Sequence, residues 1–185
     1  LYFEGVYMDC TIFVNGMQAG EWKYGYSSFE VRLTPFLKTG ENTILVHVRY
    51  QSPNSRWYSG AGIYRSVWLK KVSSVHIASD GITAETHRLE NGNWSLCMHT
   101  TVEKEGIQQS AKDFFASEND NPNASLSLSF CVQTLDGTVI LSEILEDTPV
   151  TLTNIKPWGI NEPNLYKIVC TLSENCLLYT SDAAD

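Results

Sequence analysis

The sequence predicts an all-β protein built as two successive sandwiches. Three observations carry this. Apolar residues recur with a period of two along most of the chain, which is the strand period. Asn-Gly and Asp-Gly pairs punctuate those runs where hairpins would turn. No twelve-residue window combines apolar spacing at i, i+3, i+4 and i+7 with helix caps, so almost no helix is expected.

The elements follow in order. Thr11-Ile12-Phe13-Val14 runs into Asn15-Gly16, a strong hairpin signal. Ser28–Leu33 alternates polar and apolar and stops before Pro35. Leu37–Asn42 is a turn, and Thr43–Tyr50 is a strand with Ile44, Val46 and Val48 on one face. Gln51–Gly62 is loop-like, rich in Pro, Asn, Ser and Gly, and Ile63–Leu69 returns to strand character.

A second set of strands begins with Val75-His76-Ile77. Ile82–Leu89 and Trp94–Val102 flank an Asn91-Gly92 turn, and Leu126–Val132 leads to Asp136-Gly137. Thr138–Leu145, Val150–Ile155 and Leu165–Leu172 complete about seven strands, a count that suggests an immunoglobulin-like sandwich. The polar stretch Gln108–Ala124 reads as a long surface loop.

Composition bounds the function. The 185 residues are 43% hydrophobic and 11% aromatic, enough for a core and against intrinsic disorder. They are too few for a (β/α)₈ barrel, which takes about 250. No run approaches a membrane-spanning length of about 20 apolar residues, so no membrane partner is expected. The formal net charge of -8 argues against nucleic acid, whose binders present a basic face. Charge also divides the chain. Residues 1–73 carry eight Lys and Arg against five Asp and Glu, whereas residues 74–175 carry five against fourteen. A domain boundary is therefore expected near Val72-Ser73-Ser74.

Five cysteines lack metal or redox spacing and read as free thiols, which suggests a cytoplasmic location. A Cys97–Cys131 bridge stays open as an alternative. The four histidines (His47, His76, His87 and His99) are scattered as strand-face residues. Neither a metal site nor a cofactor is expected. The chain opens on Leu1 rather than Met, so a start further upstream is expected and the lack of a leader carries no weight.

Three segments resemble glycoside hydrolase family 2, the family of β-galactosidases, β-glucuronidases and β-mannosidases. Phe3-Glu4-Gly5-Val6 followed by Thr11–Gly16 is similar to a stretch of its sugar-binding jelly-roll domain. Leu37-Lys38-Thr39-Gly40-Glu41-Asn42 before Val46-His47-Val48 is similar to a second. Ser55-Arg56-Trp57-Tyr58-Ser59-Gly60-Ala61-Gly62-Ile63-Tyr64-Arg65 with Val67-Trp68-Leu69 resembles its longest signature, with Ser59 where Pro is common. Trp158, Pro163, Leu165-Tyr166 and Ile168–Leu172 resemble the close of the family's immunoglobulin-like domain.

The resemblance implies the C-terminal part of a jelly roll in residues 1–73 and an immunoglobulin-like domain in 74–175. It further implies a parent enzyme that cleaves β-glycosides with retention, β-galactosidase-like, whose catalytic barrel packs on both domains, with a homo-oligomer of the parent as one open assembly. Residues 176–185 resemble translated sequencing-adapter sequence and are expected to be foreign; a native polar terminus is the rival reading.

A retaining glycosidase needs two carboxyl groups about 5–5.5 Å apart. Glu143, Glu146 and Asp147 read instead as a solvated strand end, Glu103 and Glu105 as a hairpin rim, and Glu4 as structural. The chain alone is therefore expected to be inactive, with no catalytic residue. For binding sugar the resemblance offers the loop holding Asn54, Arg56, Trp57 and Tyr58, where aromatic faces stack on a pyranose and Arg or Asn bonds its hydroxyls. Packing of Arg56 and Trp57 on the barrel is the competing role, and Arg65 and Trp68 read as structural. A stand-alone carbohydrate-binding module is the alternative to an enzyme parent.

Overall fold

Asn15 and Gly16 both take positive φ (51° and 83°), the turn geometry that matches strand twist, and they close the first long hairpin. In this computed structural model, residues 1–51, 53, 59–118, 126–174 and 177–180 are described. They divide into two units, Leu1–Lys71 and Val72–Asp185.

In the first unit the strands are β1 (Tyr2–Phe3), β2 (Val6–Tyr7), β3 (Cys10–Val14), β4 (Met17–Trp22), β5 (Phe29–Glu30), β6 (Ile44–Val48), β7 (Gly62–Ile63) and β8 (Val67–Trp68). They form three antiparallel groups, ordered β4-β3-β6, β5-β1-β8 and β2-β7. Alternation on β3 buries Cys10, Ile12 and Val14. These pack with Phe3, Val6, Phe29, Val31 and Leu33. Phe3 and Phe29 stack at 4.8 Å.

Two expected strands are shorter than their alternation suggests. Ser28–Leu33 contributes only β5, because a 3₁₀ turn at Thr34–Phe36 begins just before Pro35. Ile63–Leu69 splits into β7 and β8, which pair with β2 and β1 respectively. Gly5 separates β1 from β2, and a Cβ there would lie 2.7 Å from the Tyr64 ring.

In the second unit the elements are β9 (Val75–Arg88), β10 (Trp94–Lys104), β11 (Ile107–Ser110), α1 (Ala111–Glu118), β12 (Leu126–Thr134), β13 (Val139–Ile144), β14 (Val150–Leu152), β15 (Tyr166–Glu174) and β16 (Leu177–Thr180). One sheet joins β9, β11 and β14 to β10, and the other runs β13-β12-β15-β16. Their inner faces share one core: Leu96, Met98 and Val102 on β10 meet Leu128, Phe130 and Val132 on β12, and Cys170 and Leu172 on β15. This is the aligned-sandwich arrangement that alternation predicts. Tyr166 closes it as a corner, its hydroxyl accepting from Lys156 N at 2.9 Å and donating to Lys156 O at 3.2 Å.

Two expectations are corrected here, and the alternative of a Cys97–Cys131 bridge is set aside. The stretch Gln108–Ala124 is not a plain loop, since it opens with the end of β11 and then α1. Ser110 Oγ accepts from Asp113 N at 3.1 Å and donates to Asp113 Oδ2 at 2.7 Å, capping the helix. The helix buries Ala111 and Phe114 completely. Val75–Ile77 and Ile82–Leu89 are one strand, bent by a bulge where Asp80 takes φ of 53° and the register shifts between Thr100 and Val102. Cys10, Cys97, Cys131 and Cys170 are free thiols, with Cys97 on β10 and Cys131 on β12 in different sheets.

Candidate carbohydrate-binding site

The first unit is held at one end by two asparagines from the family-like motifs. Asn15 Nδ2 donates to Phe36 O at 2.9 Å and to Asn42 Oδ1 at 2.8 Å, while its Oδ1 accepts from Thr43 N at 3.1 Å. Asn42 also accepts from Lys38 N at 2.9 Å and donates to Lys38 O and Gly40 O. The turn after β3 and the turn before β6 thus become one polar clamp, so these motif residues shape the domain.

Elsewhere in the same unit three tyrosines line an open cleft of about 280 Å³ together with the backbone of residues 59–63. Two of the rings, Tyr7 and Tyr64, are set against glycine backbone. A Cβ at Gly25 would lie 2.3 Å from the Tyr7 ring, and the Tyr64 ring covers Gly5. The Tyr64 hydroxyl donates to Gly25 O at 2.7 Å. Tyr26 meets Tyr7 edge-on at 5.3 Å, and Tyr24 meets Tyr26 edge-on at 5.8 Å. Withdrawal from water raises the Tyr7 pKa; hydrogen bonding to Ser59 opposes this and Tyr26 reinforces it. At Gly60 and Gly62, among the described residues, nothing lies within 4 Å of where a Cβ would stand. The arrangement offers flat apolar faces edged by hydroxyls and backbone amides, which is what a sugar ring needs.

The loop residues Asn54, Arg56, Trp57 and Tyr58 lie outside the described residues. The cleft residues Tyr7, Tyr26, Ser59 and Tyr64 were not singled out by the sequence as ligand contacts. Their signal lay in Tyr24-Gly25-Tyr26 and in Gly5, where glycine beside tyrosine marks a ring lying on bare backbone. Arg65 lies over the Tyr64 ring at 5.5 Å, and Trp68 Nε1 donates to Glu4 Oε1 at 2.8 Å, so both act in packing, as does Glu4.

The weighed carboxylates of the second unit hold structure. Glu103 accepts from Gln108 Nε2 at 3.0 Å on the β10–β11 hairpin, and Glu105 sits in its turn with φ of 53°. Glu146 corrects the expectation of a solvated strand end. Between the stretches paired to β14 and β11, the edge of β10 has no strand partner among the described residues. The Glu146-Asp147 turn fills that gap: Asp147 N donates to Met98 O at 3.0 Å, and Thr100 N donates to Glu146 Oε1 at 2.7 Å. Burial raises the Glu146 pKa, with the Thr100 amide opposing the shift. His99 Nδ1 meets Asp147 Oδ1 at 2.6 Å and its Nε2 lies 3.6 Å from Glu85, and the Asp147 bond chiefly raises the His99 pKa.

Among the described residues, no group of three or more His, Cys, Asp or Glu is placed to hold a metal. Nor is any helix among them long and apolar enough to cross a membrane.

Comparison with known proteins places these features. Residues 1–73 match the model of the glycosyl hydrolases family 2 sugar-binding domain. The chain is 33% identical to β-galactosidase BoGH2A of Bacteroides ovatus, over 94% of this chain and 20% of that protein. It is 30% identical to a putative β-glucuronidase of Formosa agariphila, over 89% of this chain and 15% of that protein. Among solved structures, a β-glycosidase from Bacteroides vulgatus superposes with a TM-score of 0.79 at 25% identity, covering 96% of this chain and 22% of that one. The chain thus spans a quarter or less of the length of these relatives. Residues 1–73 are thus similar to the sugar-binding domain of the glycosyl hydrolases of family 2, and nearly the whole chain is similar to the N-terminal fraction of these β-galactosidase and β-glucuronidase relatives.

Proposed function

We propose that the chain is the non-catalytic, N-terminal portion of a retaining β-glycosidase of β-galactosidase type, one that hydrolyses O-glycosyl bonds in carbohydrates. The observation that carries this is the matched sugar-binding domain together with a tyrosine-lined cleft beside the signature segment Ser59–Tyr64. In this reading residues 1–73 are jelly roll, residues 74–175 are the immunoglobulin-like sandwich, and residues 176–185 are a non-native tail. The loop holding Asn54, Arg56, Trp57 and Tyr58 contacts sugar at the mouth of the catalytic barrel. That barrel packs on both units, and the assembled enzyme acts in the cytoplasm, where its thiols stay reduced.

Glu4, Glu103, Glu146 and Asp147 each bond to the chain's own groups, and in this reading hydrolysis belongs to the barrel. The test is to express the longer protein and follow hydrolysis of a chromogenic β-galactoside by anomeric proton NMR. The β-anomer is expected as first product, because a covalent glycosyl-enzyme gives retention. Inversion, or no turnover of any β-galactoside, β-glucuronide or β-mannoside, would refute the reading.

A further inference from the structure

We propose that the cleft between Tyr26 and Tyr64 is a binding site for a single pyranose ring, one that works in this chain without any catalytic domain. The inference rests on the carbohydrate reading above and gives it a place and a size. Four observations lead to it.

Tyr26 and Tyr64 are 51% and 47% exposed, although each is fixed by contacts of its own. Tyr64 is held by its bond to Gly25 O and by the bare backbone of Gly5, and Tyr26 by its edge contact with Tyr7. Rings fixed before binding lose little conformational entropy when a ligand stacks on them. The volume of about 280 Å³ lies just below the range of ligand pockets, which run from about 300 to 1,000 Å³. It suits one sugar ring rather than a chain of them. Tyr7 and Ser59 are among the lining residues and carry hydroxyls able to bond those of a ring. Finally, among the described residues nothing lies within 4 Å of where a Cβ would stand at Gly60 or Gly62, which leaves room beside the lining at those two positions.

The experiment is a titration of the 185-residue chain with methyl β-D-galactopyranoside and methyl β-D-glucuronide, read by ¹H–¹⁵N NMR. Saturable shifts at Tyr26, Gly60 and Tyr64 are expected in the millimolar range for at least one of the two sugars. Tyr26→Ala should weaken binding tenfold or more, while Tyr26→Phe should retain it within about threefold, because the stacking face is kept. Gly60→Leu supplies a variant that leaves the tyrosines alone. It fills open space at a position with ordinary backbone, so the fold should persist while binding is lost. Absence of saturable shifts in the folded chain would overturn the proposal, as would binding that survives Gly60→Leu. Shifts at these residues on changing protein concentration alone would assign the cleft to a second copy and equally overturn it. Hydrolysis by the longer protein would be untouched by such failures, so the cleft and the family reading fail separately.

Discussion

Replacing Asn15 by alanine should loosen the first unit from its hairpin end. The side chain makes three hydrogen bonds, to Phe36 O, Asn42 Oδ1 and Thr43 N, at 2.8–3.1 Å. At a net value near 0.5–1.5 kcal/mol for each, discounted because the site is only part-buried, their loss costs about 1–2 kcal/mol. Alanine must also adopt the left-handed φ of 51°, which adds about 1 kcal/mol. The total of about 2–3 kcal/mol corresponds to a roughly 30- to 150-fold rise in opening. Native-state hydrogen exchange reads it directly. The amides of Ile12 and Val14 on β3 should exchange faster by that factor, while those of Met98 and Val102 in the second unit stay unchanged. Asn15→Gly removes the same bonds but accepts the backbone, so it should show only the hydrogen-bond share. A rise below threefold in Asn15→Ala would refute the clamp.

Three further outcomes follow from the second unit. Gly81→Ala puts a Cβ 2.7 Å from Ala78 O and 2.8 Å from Thr101 O, both backbone, so the bulge must open; a loss of about 2–3 kcal/mol is expected by urea unfolding. The His99 pKa is raised in the folded state, so its contribution to stability is fully present below the ordinary value of about 6.5 and is lost as pH rises through the folded value. Imidazole NMR titration should show a raised midpoint that falls in Asp147→Asn; an unchanged midpoint would contradict the pairing. Burial pushes the Cys170 thiol up to about 12, so a thiol reagent at pH 8 should label it only after denaturation, as located by peptide mass spectrometry.

Much of this architecture is legible in the sequence because strand and turn chemistry are local. Asn15-Gly16 fixes its own hairpin, and the alternation of Leu128, Phe130 and Val132 declares the inner face of β12. What escaped depends on tertiary context. Helix α1 is eight residues long and has only Ala111 and Phe114 fully buried, too few to set a 3.6 period, although Ser110 and Asp113 carried its cap. Asp80-Gly81 looks like a strand end and is a bulge inside one. Glu146 looks like a surface acid because the sequence does not reveal that, among the described residues, β10 lacks an edge partner at Thr100. The cleft was hidden for a similar reason. Tyr7, Tyr26 and Tyr64 are far apart in sequence, and β2–β7 pairing with the Tyr64–Gly25 bond brings them together. The resemblance pointed to the neighbouring loop of Asn54, Arg56, Trp57 and Tyr58, which lies outside the described residues.

The central claim is that this chain recognises a sugar and leaves its glycosidic bond intact. One sample tests it: the chain mixed with 4-nitrophenyl β-D-galactopyranoside, with cleft signals and nitrophenolate absorbance followed together. Saturable shifts at Tyr26 and Tyr64 with no nitrophenolate release above buffer are the predicted result. Release that scales with protein concentration and disappears on unfolding would contradict it.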